Sequence, residues 1–334
     1  MSLGRVIDIH CHRECGTAAA MMKPEAERLG RVAFQFGNEL TKEVNRRQLV
    51  DIRPKMESLE VRLADMDAMG VDVQTISLSP YQLFHWAKGE LGSRAFRLAN
   101  DDLAETVATQ PDRLLGLGAV PLQDTETAIH ELKRCSEELG FRGIESATHI
   151  EGEELSSARL EPFWEAVEDL GMLVFIHPTN FTQTERFTDH YFLNTIGHPL
   201  EETICAGRLI FDGVIERHPG LKFVFAHGGG FLPAYAGRFD HAYHAREDVR
   251  QGLPKPPSEY LKTFYFDTMV FEPDQLGFLI QRYGADHVLL GTDYPYDMGE
   301  PDPLGLLNKV SGLFEDDLDL IVGGNAARLL GIDR

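Results

Sequence analysis

Eight short apolar runs alternate with stretches of helical periodicity, and this alternation constrains the fold more than any other feature of the sequence. The runs cover residues 5–10, 71–77, 114–120, 143–146, 173–177, 222–227, 264–268 and 287–291. They are rich in Val, Ile, Leu and Phe, as expected of strands buried on both faces. Residues 59–69, 95–108, 125–139, 160–170 and 274–283 repeat apolar side chains at helical spacing. Asp124 and Thr125 supply an N-cap, Gly140 a stop, and Pro219-Gly220 a break before the sixth run. Strand–helix alternation predicts a parallel sheet, and eight units predict its closure into a (β/α)8 TIM barrel, an α/β fold spanning 1–334 as a single domain. An open doubly wound sheet would carry a Gly-rich phosphate loop after the first strand. Here the first run ends in His10-Cys11-His12. Residues 13–57 are polar and without clear period, and read as an irregular insertion after the first strand, serving as a lid.

The composition narrows the partners. Lys and Arg number 32 against 53 Asp and Glu, a net charge of −21. Such a surface repels nucleic acid and anionic membranes, so no nucleic acid and no membrane is expected as a partner. An anionic substrate would need a local cation to hold it. No apolar run is long enough to span a bilayer. Met1-Ser2-Leu3-Gly4-Arg5 lacks the apolar stretch of a secretory signal. Four cysteines, Cys11, Cys15, Cys135 and Cys205, are sparse and suit a reducing cytosol, so a cytoplasmic location is expected.

Five polar side chains close four of the predicted strands. Alternation along the first strand sends His10 and His12 to the same side. His177 ends Leu173-Val174-Phe175-Ile176, His227 ends Phe223-Val224-Phe225-Ala226, and Asp293 follows Leu289-Leu290-Gly291-Thr292. In a barrel the C-terminal strand ends ring one mouth, where catalytic groups gather. Neutral imidazoles with a carboxylate suit one divalent metal, with zinc the first choice and manganese the alternative. A metal acidifies a bound water, and a nearby His outside the ligand set can act as general base or acid.

These segments resemble the amidohydrolase superfamily, in the decarboxylase branch typified by the 2-amino-3-carboxymuconate-6-semialdehyde decarboxylases. The resemblance runs through Ile7-Asp8-Ile9-His10, Val61-Arg62 with Met66-Asp67, Asn100-Asp101-Asp102-Leu103-Ala104, Gly116-Leu117-Gly118 and Glu138-Leu139-Gly140-Phe141. Its most specific parts are Ala226-His227-Gly228-Gly229-Gly230 and Gly291-Thr292-Asp293-Tyr294-Pro295, and it continues to Gly324-Asn325-Ala326. It implies His10, His12, His177 and Asp293 as metal ligands, and His227 as the catalytic residue beside them, with Asp293 also part of the catalytic group. It implies that Arg238 reaches the substrate carboxylate across a homodimer interface. An arginine of the insertion should bind a second carboxylate; Arg46, Arg47 and Arg53 are the candidates, with Arg47 carried forward.

Two departures bear on the substrate. The family carries Trp after the fifth-strand His-Pro, where this chain has Thr179-Asn180, and the insertion arginine has no secure counterpart. The wider superfamily bridges two metals with a lysine on strand four; Gly143-Ile144-Glu145-Ser146 has none, which favours one metal and leaves Glu145 as a supporting group. Tyr81, Phe84, Trp86 and Phe271 are candidates for an apolar pocket wall. The activity expected is metal-dependent, non-oxidative decarboxylation of a small unsaturated or aromatic carboxylic acid. The alternative is hydrolysis or hydration of a lactone, C–C bond or unsaturated acid by the same metal-bound water.

Overall fold

The computed structural model describes residues 4–31, 36–179 and 184–333. Its main sheet has eight parallel strands in the order β1-β2-β3-β4-β7-β8-β9-β10. They are β1 (Ile7–Arg13), β2 (Val73–Leu78), β3 (Leu114–Ala119), β4 (Gly143–Ser146), β7 (Leu173–Ile176), β8 (Lys222–Phe225), β9 (Tyr265–Asp267) and β10 (Val288–Leu289). A two-stranded antiparallel pair, β5 (His149–Ile150) and β6 (Glu153–Glu154), lies apart. The barrel closes between its last and first strands: the Ile9 amide donates to the Leu290 carbonyl at 2.9 Å and the His12 amide to the Tyr294 carbonyl at 2.8 Å. These bonds carry β1 beyond the predicted end, and its pairing continues to Arg13 opposite Leu78. Between Asp8 and Cys11 the register of β1 shifts against β2. Such irregularities re-aim side chains and recur next to functional sites.

Two apolar clusters hold the fold. Ile7, Ile9, Val73, Leu117, Phe175, Val224 and Leu289 form the smaller one, which fills the barrel. The larger packs sheet against helices through Phe96, Leu103, Phe163, Trp164, Phe223 and Phe264, all fully buried. The predicted helices are present as α3 (Leu59–Met69), α4 (Gly89–Thr109), α5 (Thr125–Glu137), α6 (Glu161–Leu170) and a helix at Pro273–Tyr283. The Asp124 side chain accepts from the Thr127 amide, capping α5 as its sequence suggests.

The insertion differs from the sequence reading. It is helical, with α1 (Gly16–Leu29) and α2 (Glu39–Glu57). The buried face of α2 comprises Asn45, Gln48, Ile52 and Met56. Two of those four are polar, so the helical period is invisible to an apolar count. α7 (His198–Phe211) is likewise absent from the sequence reading, because Glu201, Glu202 and Gly207 occupy its buried positions. A single π-helical turn, Leu193–Gly197, leads into it.

Candidate metal centre

The barrel mouth collects the five strand-end residues. His10 and His12 lie near the end of β1, His177 directly follows β7, His227 sits two residues beyond β8, and Asp293 follows β10. One ligand atom each from His10, His177, His227 and Asp293 falls within 4.8 Å of the others. His12 belongs to the same centre through a different contact: its Nε2 and the Nε2 of His10 each lie 3.2 Å from Asp293 Oδ1. The strand alternation that predicts a shared side for the two histidines therefore matches where their rings point. The four-residue group contains His227 in place of His12, so proximity alone does not separate ligand from catalytic residue.

The backbone around the site is strained where the side chains converge. His227 and Asp293 adopt φ of 48° and 53°, a region costly for residues with a Cβ and common at functional sites. The glycines after His227 let the chain turn tightly. A Cβ at Gly230, itself at φ 65°, would collide with the carbonyl oxygen of Pro199 at the start of α7.

Outer contacts orient the imidazoles. His10 Nδ1 meets Asp267 Oδ2 at 2.6 Å, and Asp267 is anchored by the amides of Gly228 and Met269. His12 Nδ1 meets the Leu78 carbonyl at 2.9 Å. Both contacts consume Nδ1 and leave Nε2 facing the centre, the arrangement that presents a ligand lone pair. His227 Nδ1 meets Glu202 Oε1 at 2.8 Å, and its Nε2 lies 3.7 Å from Asp293 Oδ2. Glu202 comes from α7 and Asp267 from the end of β9. The sequence reading names neither. Asp267 has a visible signal, a carboxylate closing the apolar Phe264-Tyr265-Phe266 run; Glu202 has none.

Charge follows this arrangement. Burial opposes ionisation of His10, but Asp293 and Asp267 outweigh it and raise its pKa to about 9. Burial likewise opposes a charge on His227, and Glu202 and Asp293 reverse it, holding the imidazole well above its ordinary value. Burial pushes Glu202 up to about 7, partly offset by His227. Burial and the neighbouring imidazoles keep His177 well below its ordinary value, and burial lowers His12. Asp293 is held well below the carboxylate range: burial would raise it, but His10 and its partners prevail. Glu145 lies 4.0 Å from His12 Nδ1, and burial raises it to about 8.

Several atoms here make no well-directed hydrogen bond. His10 Nε2, His12 Nε2, both ring nitrogens of His177 and Asp293 Oδ1 are buried without a hydrogen-bond partner. Each such atom costs about 1–3 kcal/mol. Clustered imidazole nitrogens and a carboxylate oxygen in that condition are the donor set of a single divalent metal, and the residues fit one.

The cavity over the centre is lined by Tyr81, Thr179, Tyr191, Asn194, His198, Tyr296 and Asp297, besides His177, His227 and Asp293. Of the proposed substrate residues, the structure brings none but Tyr81 to this wall. Phe84 is buried and packs against Phe96, with Trp86 half-buried beside it. Arg238 and Arg47 are exposed, Arg238 on the helix Leu232–Ala245 and Arg47 on α2. Arg46 pairs with Glu43 at 2.7 Å, Arg53 is exposed, and so is Phe271. Asn180 lies outside the described residues.

The sequence profile of the amidohydrolase family matches residues 7–332. The 2-amino-3-carboxymuconate-6-semialdehyde decarboxylase of Dictyostelium discoideum is 37% identical over 275 residues, covering 82% of this chain and 77% of the relative. Among solved structures, the 5-carboxyvanillate decarboxylase of Sphingomonas paucimobilis superposes with a TM-score of 0.85 at 28% identity, covering 99% of this chain and 100% of that one. A dihydroxybenzoic acid decarboxylase from a Polaromonas species, with bound manganese and the inhibitor 2-nitroresorcinol, gives a TM-score of 0.82 at 27% identity, covering 99% and 98%.

Proposed function

The chain belongs to the amidohydrolase family, and on that premise we propose that it is a metal-dependent, non-oxidative decarboxylase of a small aromatic or unsaturated carboxylic acid. The observation that carries this reading is the buried cluster of unpartnered imidazole and carboxylate atoms beneath a tyrosine-lined cavity. His10, His12, His177 and Asp293 would hold the ion, and His227 would act beside it. When bound, the metal supplies a Lewis acid that polarises substrate oxygens and draws electron density from the breaking bond.

The protein's own groups supply the rest. Cleavage of the carbon–carboxylate bond leaves its electron pair on the ring or alkene carbon and releases CO2. That carbon then needs one proton. Glu202 occupies Nδ1 of His227 and favours its charged form, so His227 carries a transferable proton on Nε2, which faces the cavity. Tyr81, Tyr191 and Tyr296 offer ring faces for a flat substrate and help exclude water.

The cavity lining contains no lysine or arginine among the described residues. Arg238 makes no hydrogen bond or ion pair among them either. This supports a homodimer in which the partner copy supplies Arg238 to the substrate carboxylate, with Arg47 as the insertion's contribution. Zinc is our first assignment on donor chemistry. The manganese in the Polaromonas relative makes manganese the rival, and metal analysis of protein purified without chelator decides between them. The four buried cysteines are free thiols, which suits the cytoplasm as the proposed location.

The activity is tested by incubating metal-loaded protein with muconate-type and hydroxybenzoate-type acids and measuring CO2. Release of CO2 matched by loss of the acid is the expected result. Hydrolysis or hydration products without CO2 would move the assignment to a hydrolase or hydratase.

A further inference from the structure

α7 presents two side chains to the catalytic histidine. Glu202 holds its Nδ1, and His198, one turn earlier, lies against its ring with centroids 6.5 Å apart and planes 24° from parallel. The proton-transfer role already absorbs Glu202, but it leaves His198 without a task. His198 lines the cavity, so its imidazole faces the space a substrate would take. Its Nδ1 lies 3.5 Å from the Asn194 side-chain nitrogen. An amide NH2 can only donate, so Nδ1 accepts and the ring proton sits on Nε2. Burial, reinforced by the charge on His227, keeps the ring neutral, with a pKa near 3. Asn194 itself stands in the π-helical turn Leu193–Gly197, a distortion that recurs at functional sites. The result is a neutral donor of defined tautomer, in a cavity with no lysine or arginine among the described residues, beside the group that delivers the proton.

We propose that His198 is a substrate-binding residue whose Nε2–H donates to an oxygen substituent next to the carboxyl group that leaves. The assignment rests on the reading of this cavity as an aromatic-acid site and adds the substituent that the site selects. It predicts a preference for acids that carry a hydroxyl or carbonyl oxygen beside the carboxylate. A site built around one donor discriminates strongly against a ligand that lacks the acceptor.

The test uses metal-loaded protein and two probes, 2,6-dihydroxybenzoate and benzoate, with dissociation constants and metal content measured in parallel. His198→Phe keeps a ring against His227 and removes the donor; His198→Gln keeps a donor. The wild type is expected to favour the dihydroxy acid. His198→Phe is expected to weaken that acid about tenfold while changing benzoate by less than about twofold, at unchanged metal content. His198→Gln should restore part of the preference. Equal losses for both acids in His198→Phe, or no loss for either, would overturn the assignment while leaving the decarboxylase reading intact. A wild type that binds neither acid and releases CO2 from none would instead remove the aromatic-acid reading, and the role of His198 with it.

Discussion

Glu202 and His227 meet at 2.8 Å in a contact where the carboxylate is fully buried. One partner comes from α7 and the other from the turn after β8, so the pair ties helix placement to the protonation of the imidazole proposed as catalytic. Glu202→Gln keeps the shape and removes the charge that raises the His227 pKa. If the protonated imidazole is the active form, the raised pKa places the alkaline limb of the rate profile above the ordinary histidine value of about 6.5. In Glu202→Gln that limb should move to lower pH, with kcat reduced about 10–100-fold near pH 8. A full pH–rate profile of both proteins checks this, and an unshifted limb would remove Glu202 from the mechanism.

Ligand and catalytic roles separate in a metal count. His227→Ala should bind close to one ion per chain and lose about 100–10,000-fold in turnover, the typical contribution of general acid–base catalysis. His12→Ala, His177→Ala and Asp293→Ala should lose the ion as well as the activity. Elemental analysis after dialysis against a weak chelator reads both quantities. Because His227 lies within the 4.8 Å group and His12 does not, the opposite pattern, with metal kept by His12→Ala and lost by His227→Ala, would exchange their roles.

Most of the metal centre is legible because its parts are local. A histidine or aspartate at the end of an apolar run keeps its place once the run becomes a barrel strand, and side-chain alternation alone pairs His10 with His12. What supports the centre is not local. Glu202 is 25 residues from His227 along the chain, on a helix whose buried face carries glutamates where an apolar count expects leucines. Asn45 and Gln48 hide α2 in the same way. Phe84 and Trp86 look like pocket residues by composition, yet the chain after β2 turns them toward Phe96 and the apolar core. Arg238, which the family resemblance sends to the substrate, is exposed on the helix Leu232–Ala245.

Chelation should silence the enzyme without unfolding it. The proposed ligands sit at the barrel mouth, while the apolar interior of Ile7, Ile9, Phe175, Val224 and Leu289 lies below them. Saturating metal at about 100 times its dissociation constant stabilises the folded state by about 2.7 kcal/mol. The metal-free protein should therefore melt several degrees lower while keeping its far-ultraviolet circular dichroism, and activity should return on adding zinc or manganese. Loss of the folded spectrum on chelation would show that the ion is structural.

Arg62 is buried beneath the centre, where it donates to Gln74 Oε1 at 2.8 Å and to the His12 carbonyl, and lies 4.9 Å from the Tyr294 ring centroid. It thus ties β1 to the segment that follows Asp293. Arg62→Met fills much of the same space but leaves those acceptors unpaired. It should cost about 3 kcal/mol, roughly the value of losing charged hydrogen bonds in the interior. Urea unfolding of the metal-loaded proteins measures the loss, and a change below about 0.5 kcal/mol would show that Arg62 fills space and little more.

Gly230 decides where α7 can sit. An added Cβ there meets the Pro199 carbonyl oxygen, backbone that cannot swing aside, at a φ of 65° that L side chains rarely adopt. Gly230→Ala should therefore displace the start of α7, which carries His198 and Glu202 to His227. The expected cost is about 1–3 kcal/mol of stability, together with a fall in kcat like that of Glu202→Gln, because both changes loosen the same imidazole. Gly237→Ala, inside the following helix with open space around it, is the contrasting control: it should gain up to about 1 kcal/mol of stability from helix propensity and leave kcat unchanged. Equal behaviour of the two alanine variants in unfolding and turnover would mean that the close approach of Gly230 to Pro199 does not position His227.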